Sequence, residues 1–429
     1  MYLKKSQRTR SAFKAEITVF LSLIFSVLLS LVGAMIESTS ISLAKSMNQA
    51  DLVLAMESVF AEYHPKLLED YDIFAKEGSS LSSISTRLGY YGAGNLNHKI
   101  SEIELLSDQK GQEFYRQAVE SMGGSVKEYQ IETENPYEDE QESVKEQIEA
   151  LEEETGQEIP EFNAIGSSYI LSLVLPKENT ISSHSIDCSI LPSQRTLQYG
   201  EGSNHEVEKT ISGKWLFSTY LEEHFSNYVK QDQTNPLSYE IEYLLAGKET
   251  DEENLEWVAK KLLSIRIGIN YAYLLTDETK LAETELIAGG ICTILAAPEA
   301  TELVKQALLF FWSYGESIMD LRALYRSKKV PLVKSEETWQ LQLSNLIQGG
   351  ANEGMAMETE GDNGITYEAY LKALLVAADT DKICMRALDL LEVNLGIEVD
   401  NCVTRLELES KGSTWREVRY TCNTKFAYE

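Results

Sequence analysis

The sequence predicts an α+β protein: a long N-terminal transmembrane and stem helix, an external mixed α/β region, a helical domain of about six helices and a C-terminal β-hairpin. Three observations predict this class. An apolar run near the N-terminus continues into amphipathic sequence without a proline, the middle of the chain has helical periodicity, and its end alternates with a period of two. The 43% apolar and 25% charged content is that of a folded chain.

The first predicted element is a membrane anchor. Residues 1–14 carry five basic side chains and no acid, and residues 17–36 form an uncharged run of 20 residues. A helix of this length crosses a hydrocarbon core of about 30 Å. Because basic flanks stay inside, residues 1–16 are predicted to be a cytoplasmic tail, and the chain beyond Ile36 is predicted to lie outside the cell membrane. A cleaved signal peptide ending near Val32-Gly33-Ala34 is the alternative, although the run is longer than a usual signal core.

A stem helix over residues 37–64 is predicted to continue the anchor without a break. Leu43, Met47, Ala50 and Leu54 keep a spacing of three and four, which describes an amphipathic helix, and Pro65 gives the first strong stop. The pattern predicts one helix from about Phe13 to Tyr63, half in lipid and half packed on a globular domain.

Small residues recur at every fourth position of the anchor. Such residues let membrane helices approach closely, so they predict a helix-packing surface. The alternative is that the hydroxyl groups bond the carbonyl oxygens of their own helix. The positions are Thr18, Ser22, Ser26, Ser30 and Ala34.

An external α+β region is predicted over residues 65–235. Residues 79–97 are rich in Ser, Gly and Asn and indicate a loop with one helical turn, and residues 98–107 indicate a strand followed by a helix that ends at Gly123-Gly124. Residues 132–159 are an acidic insertion, which predicts a solvated helix or mobile segment. The apolar segment 167–176 indicates a buried strand.

The helical domain is predicted over residues 236–397. A capping box of Thr250 and Glu253 opens its first long helix, and Thr276 is predicted to open the second. The segment 239–247 fits a strand or a helix. Further helices are predicted near residues 299–326, 336–348, 366–378 and 381–395, the last ended by Gly396.

The C-terminal β-hairpin is predicted over residues 398–429. With Gly412 at the turn, Cys402 lies directly opposite Cys422, a geometry at the short end of what a disulfide tolerates. An external compartment permits this bond. Two free, buried thiols are the alternative.

The charged residues do not form a pattern that indicates catalysis. HExxH, GxSxG, CxxC and phosphate-loop motifs are absent from the sequence, so no enzyme activity, cofactor or metal site is predicted. Residues 358–368 alternate acids but misplace the glycine and glutamate of a calcium loop, which favours a solvated turn. Glu316 and Asp320, one helical turn apart, could act as an acid–base pair, but with Arg322 and Arg386 available a structural ion network is the favoured interpretation.

Charge also excludes one class of partner. The chain has 38 basic and 68 acidic residues, a net charge of −30, and residues 1–14 hold five of the basic residues and no acid. Such a surface repels phosphate backbones, so no nucleic-acid partner is predicted.

Five segments together carry a resemblance to known sequences: "ITVFLSLI", "AEYHPKLLEDYDIFAKEG", "YEIEYLLAGKETDEENLEWVAKKLL", "WSYGESIMDLRALYRSKKVPLVK" and "MRALDLLEVNLG". They resemble an uncharacterised family of single-pass membrane proteins of Gram-positive bacteria, whose genes accompany tight-adherence (Tad/Flp) pilus machinery. The architecture is also similar to that of TadE-like pseudopilins. The chain departs from the prepilin processing pattern, since Ala15 is followed at once by Glu16 and position 20 is Phe.

The resemblance implies a setting and no reaction. It favours a membrane-anchored structural or assembly component of a pilus-like surface system, with pilus-assembly or pseudopilin-like membrane proteins as partners. A surface adhesion or ligand-binding ectodomain is the main alternative, and an anchored extracellular hydrolase is a third.

Overall fold

One unbroken helix, α1 (Lys4–Phe60, 57 residues), begins the structure. At 1.5 Å per residue it is about 86 Å long. Its part from residue 17 to residue 36 is exposed on all sides, whereas its last third packs on the rest of the protein. The prediction of a single long N-terminal helix is therefore confirmed.

The computed structural model describes residues 4–124, 167–176, 181–200, 207–232, 234–344, 364–414 and 417–428. The acidic insertion at 132–159 and the first six residues of the calcium-loop candidate at 358–368 lie outside the described residues.

The other elements follow α1 in chain order. Helices and strands before the middle of the chain are α2 (Pro65–Tyr71), β1 (Lys76–Glu77), α3 (Leu81–Leu88), β2 (Asn97–Leu105), α4 (Asp108–Ser121), α5 (Ser167–Val174) and α6 (Ile211–His224). Those after it are α7 (Glu240–Ala246), α8 (Asp251–Thr276), α9 (Glu278–Ile294), α10 (Thr301–Leu324), α11 (Tyr367–Ala377), α12 (Thr380–Leu395), β3 (Cys402–Ser413) and β4 (Arg419–Ala427). The predicted α+β class is confirmed.

The four strands form one antiparallel sheet with β3 at its centre. β2 pairs along one edge of β3, while β4 and the two-residue β1 pair along the other edge. The central strand is therefore contacted by segments from both ends of the chain.

Two main hydrophobic cores hold the elements together. The first lies between the end of α1, α3 and the sheet, and it includes Leu52, Met56 and Leu406. The second fills the helical body and draws on residues from Leu67 to Cys402. This second core uses residues from both sides of the domain boundary predicted at 235/236, so the core does not mark that boundary. The boundary stays a prediction.

Local signals explain the helix ends. The hydroxyl oxygen of Thr250 accepts a hydrogen bond from the backbone N–H of Glu253 at 3.2 Å, as the predicted capping box requires. Gly396 ends α12 with a φ of +69°, a left-handed conformation that glycine adopts without steric cost. The cap of α9 lies one residue later than predicted, since Asp277 caps that helix through the N–H groups of Thr279 and Lys280.

Three predicted elements differ from the structure. Residues 79–97 are more helical than the predicted loop with one helical turn, since they form α3 and a further turn over Gly89–Ala93. The predicted strand at 167–176 is wrong, because residues 167–174 form a helix; a short apolar run carries no periodicity that separates a strand from a buried helix. Of the helix predicted near 336–348, residues 336–342 are turn and irregular backbone, residues 343–344 are helical, and residues 345–348 lie outside the described residues.

The hairpin register also differs from the prediction. β3 continues past Gly412, and Cys422 pairs with Ser410, whereas Cys402 pairs with Glu77 of β1. Gly412 is not a turn residue: a Cβ there would lie 2.5 Å from the ring of Tyr420. The glycine instead makes room for that ring to cross the strand.

Candidate functional site

The long helix α1 packs on the rest of the protein at the stem–sheet joint, defined as residues 45–60 of α1 together with β4 and residue 428. Leu52, Ala55, Met56 and Val59 are buried there against the sheet. Residues at this spacing (i, i+3, i+4 and i+7) lie on one face of a helix, so α1 presents one fixed face to the sheet.

Aromatic and polar contacts close the stem–sheet joint at both ends. The Phe60 ring stacks on Phe426 with centroids 4.3 Å apart, and the Tyr428 hydroxyl donates to the Phe60 carbonyl oxygen at 2.5 Å. Further up the helix, the Gln49 side-chain amide donates to the Asn423 carbonyl oxygen at 2.7 Å. The joint therefore resists both sliding and rolling of α1 on the sheet.

The tyrosine that crosses Gly412 belongs to the same joint. The side-chain amide of Asn48 donates to the hydroxyl of Tyr420. Gly412 thus makes room for the Tyr420 ring, and the hydroxyl of that ring contacts α1. The glycine interpreted as a turn residue therefore helps to position the stem.

The amphipathic face predicted from the sequence is not the face that packs on the sheet. Leu43, Met47, Ala50 and Leu54 are exposed, and the buried residues lie on the opposite side of α1. This half of α1 does pack on the rest of the protein, as predicted, but through the face opposite to the one that carries the predicted spacing. Apolar residues occupy both faces of the stem helix. The face that packs on the sheet is the one that also carries Asn48 and Gln49.

The small-residue stripe of the anchor lies on the exposed part of α1. The Ser22 hydroxyl donates to the Val19 carbonyl oxygen and the Ser26 hydroxyl to that of Ser22, each at 2.8 Å. These bonds are within the helix, as in the alternative interpretation of the stripe. The packing surface that also includes Thr18, Ser30 and Ala34 stays a prediction.

Two of the four residues predicted to form an ion network lie in one buried cluster. Glu316 accepts from Lys334 Nζ at 2.7 Å, and Asp320 pairs with the same Nζ at 2.7 Å and with Arg266 Nη2 at 2.7 Å. All four side chains are fully buried. Burial raises the pKa of the Glu316 carboxyl, and the Lys334 ammonium opposes that rise.

Neutral donors complete the charge cluster. Glu316 also accepts from the backbone N–H of Leu341 at 2.8 Å, and Asp320 from the side-chain amide of Asn270 at 2.9 Å. Arg266 donates to the Leu332 carbonyl oxygen at 2.8 Å. Two cations and two carboxylates balance one another, which indicates a structural cluster that fixes the loop after α10 onto α8 and α10.

The other two predicted members lie elsewhere. Arg322 donates to the Leu173 carbonyl oxygen at 2.7 Å, and Arg386 donates to the carbonyl oxygens of Leu244 and Leu245, each at 2.7 Å. Arg386 thereby caps the C-terminal end of α7. Sequence reasoning missed Arg266 and Lys334. Arg266 interrupts an apolar helical pattern, which was a signal, whereas Lys334 lies in an irregular segment that gave none.

A second buried acidic site was also missed. Glu242 lies on α7, and its Oε1 atom accepts from the Tyr367 hydroxyl at 2.7 Å and from the Tyr228 N–H at 2.9 Å. Its Oε2 atom is buried and has no hydrogen-bond partner among the residues that the structure describes. Burial raises the pKa of Glu242 to about 7, with the tyrosine hydrogen bond opposing the rise. This carboxyl therefore titrates near neutral pH inside the helical body.

The cysteines do not form the predicted disulfide. Cys402 and Cys422 are both free and buried, and so are Cys292 and Cys384, while Cys188 is half-buried and free. Cys402 lies eight residues along β3 from Ser410, the partner of Cys422, which corresponds to about 26 Å of strand. Burial raises the pKa of the Cys402 thiol to about 12, which disfavours the reactive thiolate.

The described residues hold no group of three or more His, Cys, Asp or Glu side chains arranged to bind a metal ion. They include one helix long and apolar enough to cross a membrane, within Ile17–Phe60, with a mean hydropathy of 2.6 over its most apolar window. The window is not buried inside the protein. By length and composition this helix is suited to be a membrane anchor or a signal sequence.

Comparison with known proteins identifies one relationship. Residues 148–414, more than half of the chain, match a family of unknown function, DUF5702. No curated protein and no solved structure gives a match. The matched range covers the part of the helical body from α5 to α12, together with β3. The chain therefore belongs to the DUF5702 family.

Proposed function

We propose that this protein is a single-pass membrane protein whose ectodomain acts as a structural or assembly component of a pilus-like (Tad/Flp) surface system. Its N-terminus lies in the cytoplasm and its helical body outside the cell. Its partners are the lipid bilayer and pilus-assembly or pseudopilin-like membrane proteins.

The observation that carries the proposal is the continuity of α1. Its exposed apolar part runs without a break into the stem–sheet joint, where Phe60, Phe426 and Tyr428 lock it to the sheet. A protein that only needed tethering could use a flexible linker. A rigid helix instead holds the ectodomain at a fixed height and orientation above the bilayer, which is useful for assembly.

Charge supports the orientation. Residues 1–14 carry five basic side chains and no acid, while the whole chain has a net charge of −30. Basic flanks are retained in the cytoplasm during insertion. The resemblance to proteins encoded beside tight-adherence pilus machinery supports the proposed setting.

Two measurements on the native membrane test the proposal. Protease or cysteine-directed probes added outside intact cells should reach the ectodomain and leave residues 1–14 untouched; an accessible N-terminus would overturn the orientation. Affinity purification of the full chain from native membranes should recover pilus-assembly proteins. Recovery of the chain without any of them, under conditions that preserve a known pilus-assembly complex, would refute the assembly role.

A second candidate function, a ligand-binding ectodomain, is favoured by one surface. The hairpin of α9 and α10 exposes Leu286, Ile294 and Leu303, the second with 85% of its surface accessible. Each of these large apolar side chains is free to contact a ligand at the surface. Replacing Ile294 with Ser should weaken adhesion to surfaces if this hairpin binds a ligand, and adhesion equal to that of the unmodified protein would argue against it.

A further inference from the structure

The stem helix has a second apolar face that nothing in the described part of the protein covers. This outer seam consists of Leu43, Met47, Ala50 and Leu54, spaced by four, three and four residues. Leu43, Met47 and Leu54 are 59%, 59% and 62% exposed. The spacing is that of the a and d positions of a coiled coil, where two helices pack along one narrow stripe.

The outer seam continues into the membrane-spanning part of α1. Leu29, Ile36, Leu43 and Ala50 lie seven residues apart, and Leu29 and Ile36 are exposed as well. A seven-residue apolar repeat keeps one face toward a partner helix when the two helices supercoil to the left. An occupant of the seam can therefore follow α1 from the bilayer into the ectodomain.

The sheet fixes which way the outer seam points. Leu52, Met56 and Val59, on the other side of α1, are buried in the stem–sheet joint. α1 cannot roll to hide the seam without pulling these residues out of the core. The outer seam therefore stays exposed. Because its helix is already ordered, binding a partner does not have to order the backbone, and the entropic cost of binding is lower.

Charge favours an identical occupant at this height. Residues 38–50 contain a single charged side chain, Lys45, whereas the chain as a whole carries a net charge of −30. Two acidic ectodomains repel each other, and a segment without acids is where they can approach. Lys45 lies on the sheet side of α1, since its carbonyl oxygen contacts the thiol of Cys422.

We propose that the outer seam binds the same seam of a second copy of this chain, as a parallel pair of stem helices. An occupant must be a helix that rises from the same bilayer in the same direction and presents apolar residues at the same heights. A second copy meets all three conditions, because both chains are anchored alike. This inference rests on the membrane orientation proposed above and adds the identity of the partner.

Disulfide trapping in membranes tests the pairing. The full chain with Met47→Cys, oxidised in native membranes with copper phenanthroline, should give a cross-linked species of twice the chain mass. Ser42→Cys is the matched control, because Ser42 is also exposed on the stem but lies about 140° around the helix from Met47 at 100° per residue. The unmodified chain, with its five free cysteines, gives the background.

A charge variant separates pairing from random collision. Met47→Glu places two carboxylates against each other across the pair and should lower the dimer fraction about tenfold or more, whereas Ser42→Glu should leave it unchanged. Both side chains are exposed, so neither change should unfold the ectodomain.

The outcomes are distinct. Cross-linking of the Met47→Cys variant to a protein of another mass would overturn the assignment of a second copy as the partner. Equal cross-linking of the Met47→Cys and Ser42→Cys variants would also overturn it, as would the absence of cross-linking in both. Failure of the pairing leaves recovery of pilus-assembly proteins to be judged separately. Loss of that recovery with intact pairing would refute the assembly role alone.

Discussion

Glu242 offers the sharpest test of how the helical body is stabilised, through the substitution Glu242→Gln. Glutamine keeps an oxygen acceptor for the Tyr367 hydroxyl and the Tyr228 N–H. It places an NH₂ group at the position of the buried Oε2 atom, which no described residue contacts by a hydrogen bond. The glutamine side chain is therefore close in shape and charge to the protonated form of the native carboxyl, and it does not titrate.

The size of the effect follows from the pKa. Burial raises the pKa of Glu242 from 4.5 to about 7, so the folded protein binds this proton more tightly than the unfolded chain. Between these two values the folded state keeps a proton that the unfolded state has lost, and the free energy of unfolding falls as the pH rises. The total loss is about 3 kcal/mol, of which about 2.5 kcal/mol falls between pH 5 and pH 8.

The measurement is urea unfolding of the full chain in detergent, followed by tryptophan fluorescence at several pH values. The free energy of unfolding of the variant minus that of the unmodified protein should increase by about 2.5 kcal/mol when the pH is raised from 5 to 8. Glu223→Gln, at an exposed position of α6, is the control and should show no such gain. Parallel stability curves for Glu242→Gln and the unmodified protein would refute the reasoning.

Three further predictions concern the joint, the charge cluster and the thiols. Phe60→Ala should cost about 3–5 kcal/mol and raise amide exchange in β4, with the exposed Phe20→Ala as an inert control; unchanged exchange would contradict the joint. Lys334→Met leaves two buried carboxylates short of a cation and should cost about 3–5 kcal/mol in the same unfolding assay, so a neutral effect would exclude a structural role. Non-reducing peptide maps should recover Cys402 and Cys422 separately alkylated, and a joined peptide would contradict the hairpin register.

Local signals in the sequence were enough for the elements whose ends depend on neighbouring residues. Thr250 caps α8 and Gly396 ends α12 because these functions need only a hydroxyl group or a left-handed backbone within one turn. The long α1 was predictable for the same reason, since no helix-breaking residue interrupts it before Pro65.

Contacts between distant segments were not predictable in this way. Gly412 matches the composition of a turn, but its role is to admit the ring of Tyr420, which in turn reaches Asn48 of α1. This contact joins residues 372 positions apart, so neither end alone reveals it. The wrong register, and with it the wrong cysteine pairing, followed from that one glycine.

The charge cluster shows the same limit. Glu316 and Asp320 were recognisable as a pair one helical turn apart, but their cations come from another helix and from a loop. From the sequence, arginines including the nearby Arg322 were predicted to be the cations that pair with these carboxylates. Which cation reaches a buried carboxylate is decided by how α8 and α10 pack, and that packing is set by the whole core.

The chain order of the sheet determines how the helical body is joined to α1. The helical body from α4 to α12 lies between β2 and β3 in the sequence, so both of its covalent connections pass through strands of the sheet on which α1 packs. A third connection is α2, which follows α1 directly and packs on the body, where the Tyr220 hydroxyl donates to the Tyr71 carbonyl oxygen at 2.6 Å. α1 is therefore joined to the body at three places. For the same reason residues 45–60 belong to the core of the folded part, and a fragment that begins at Pro65 would expose the apolar face of the sheet that these residues cover.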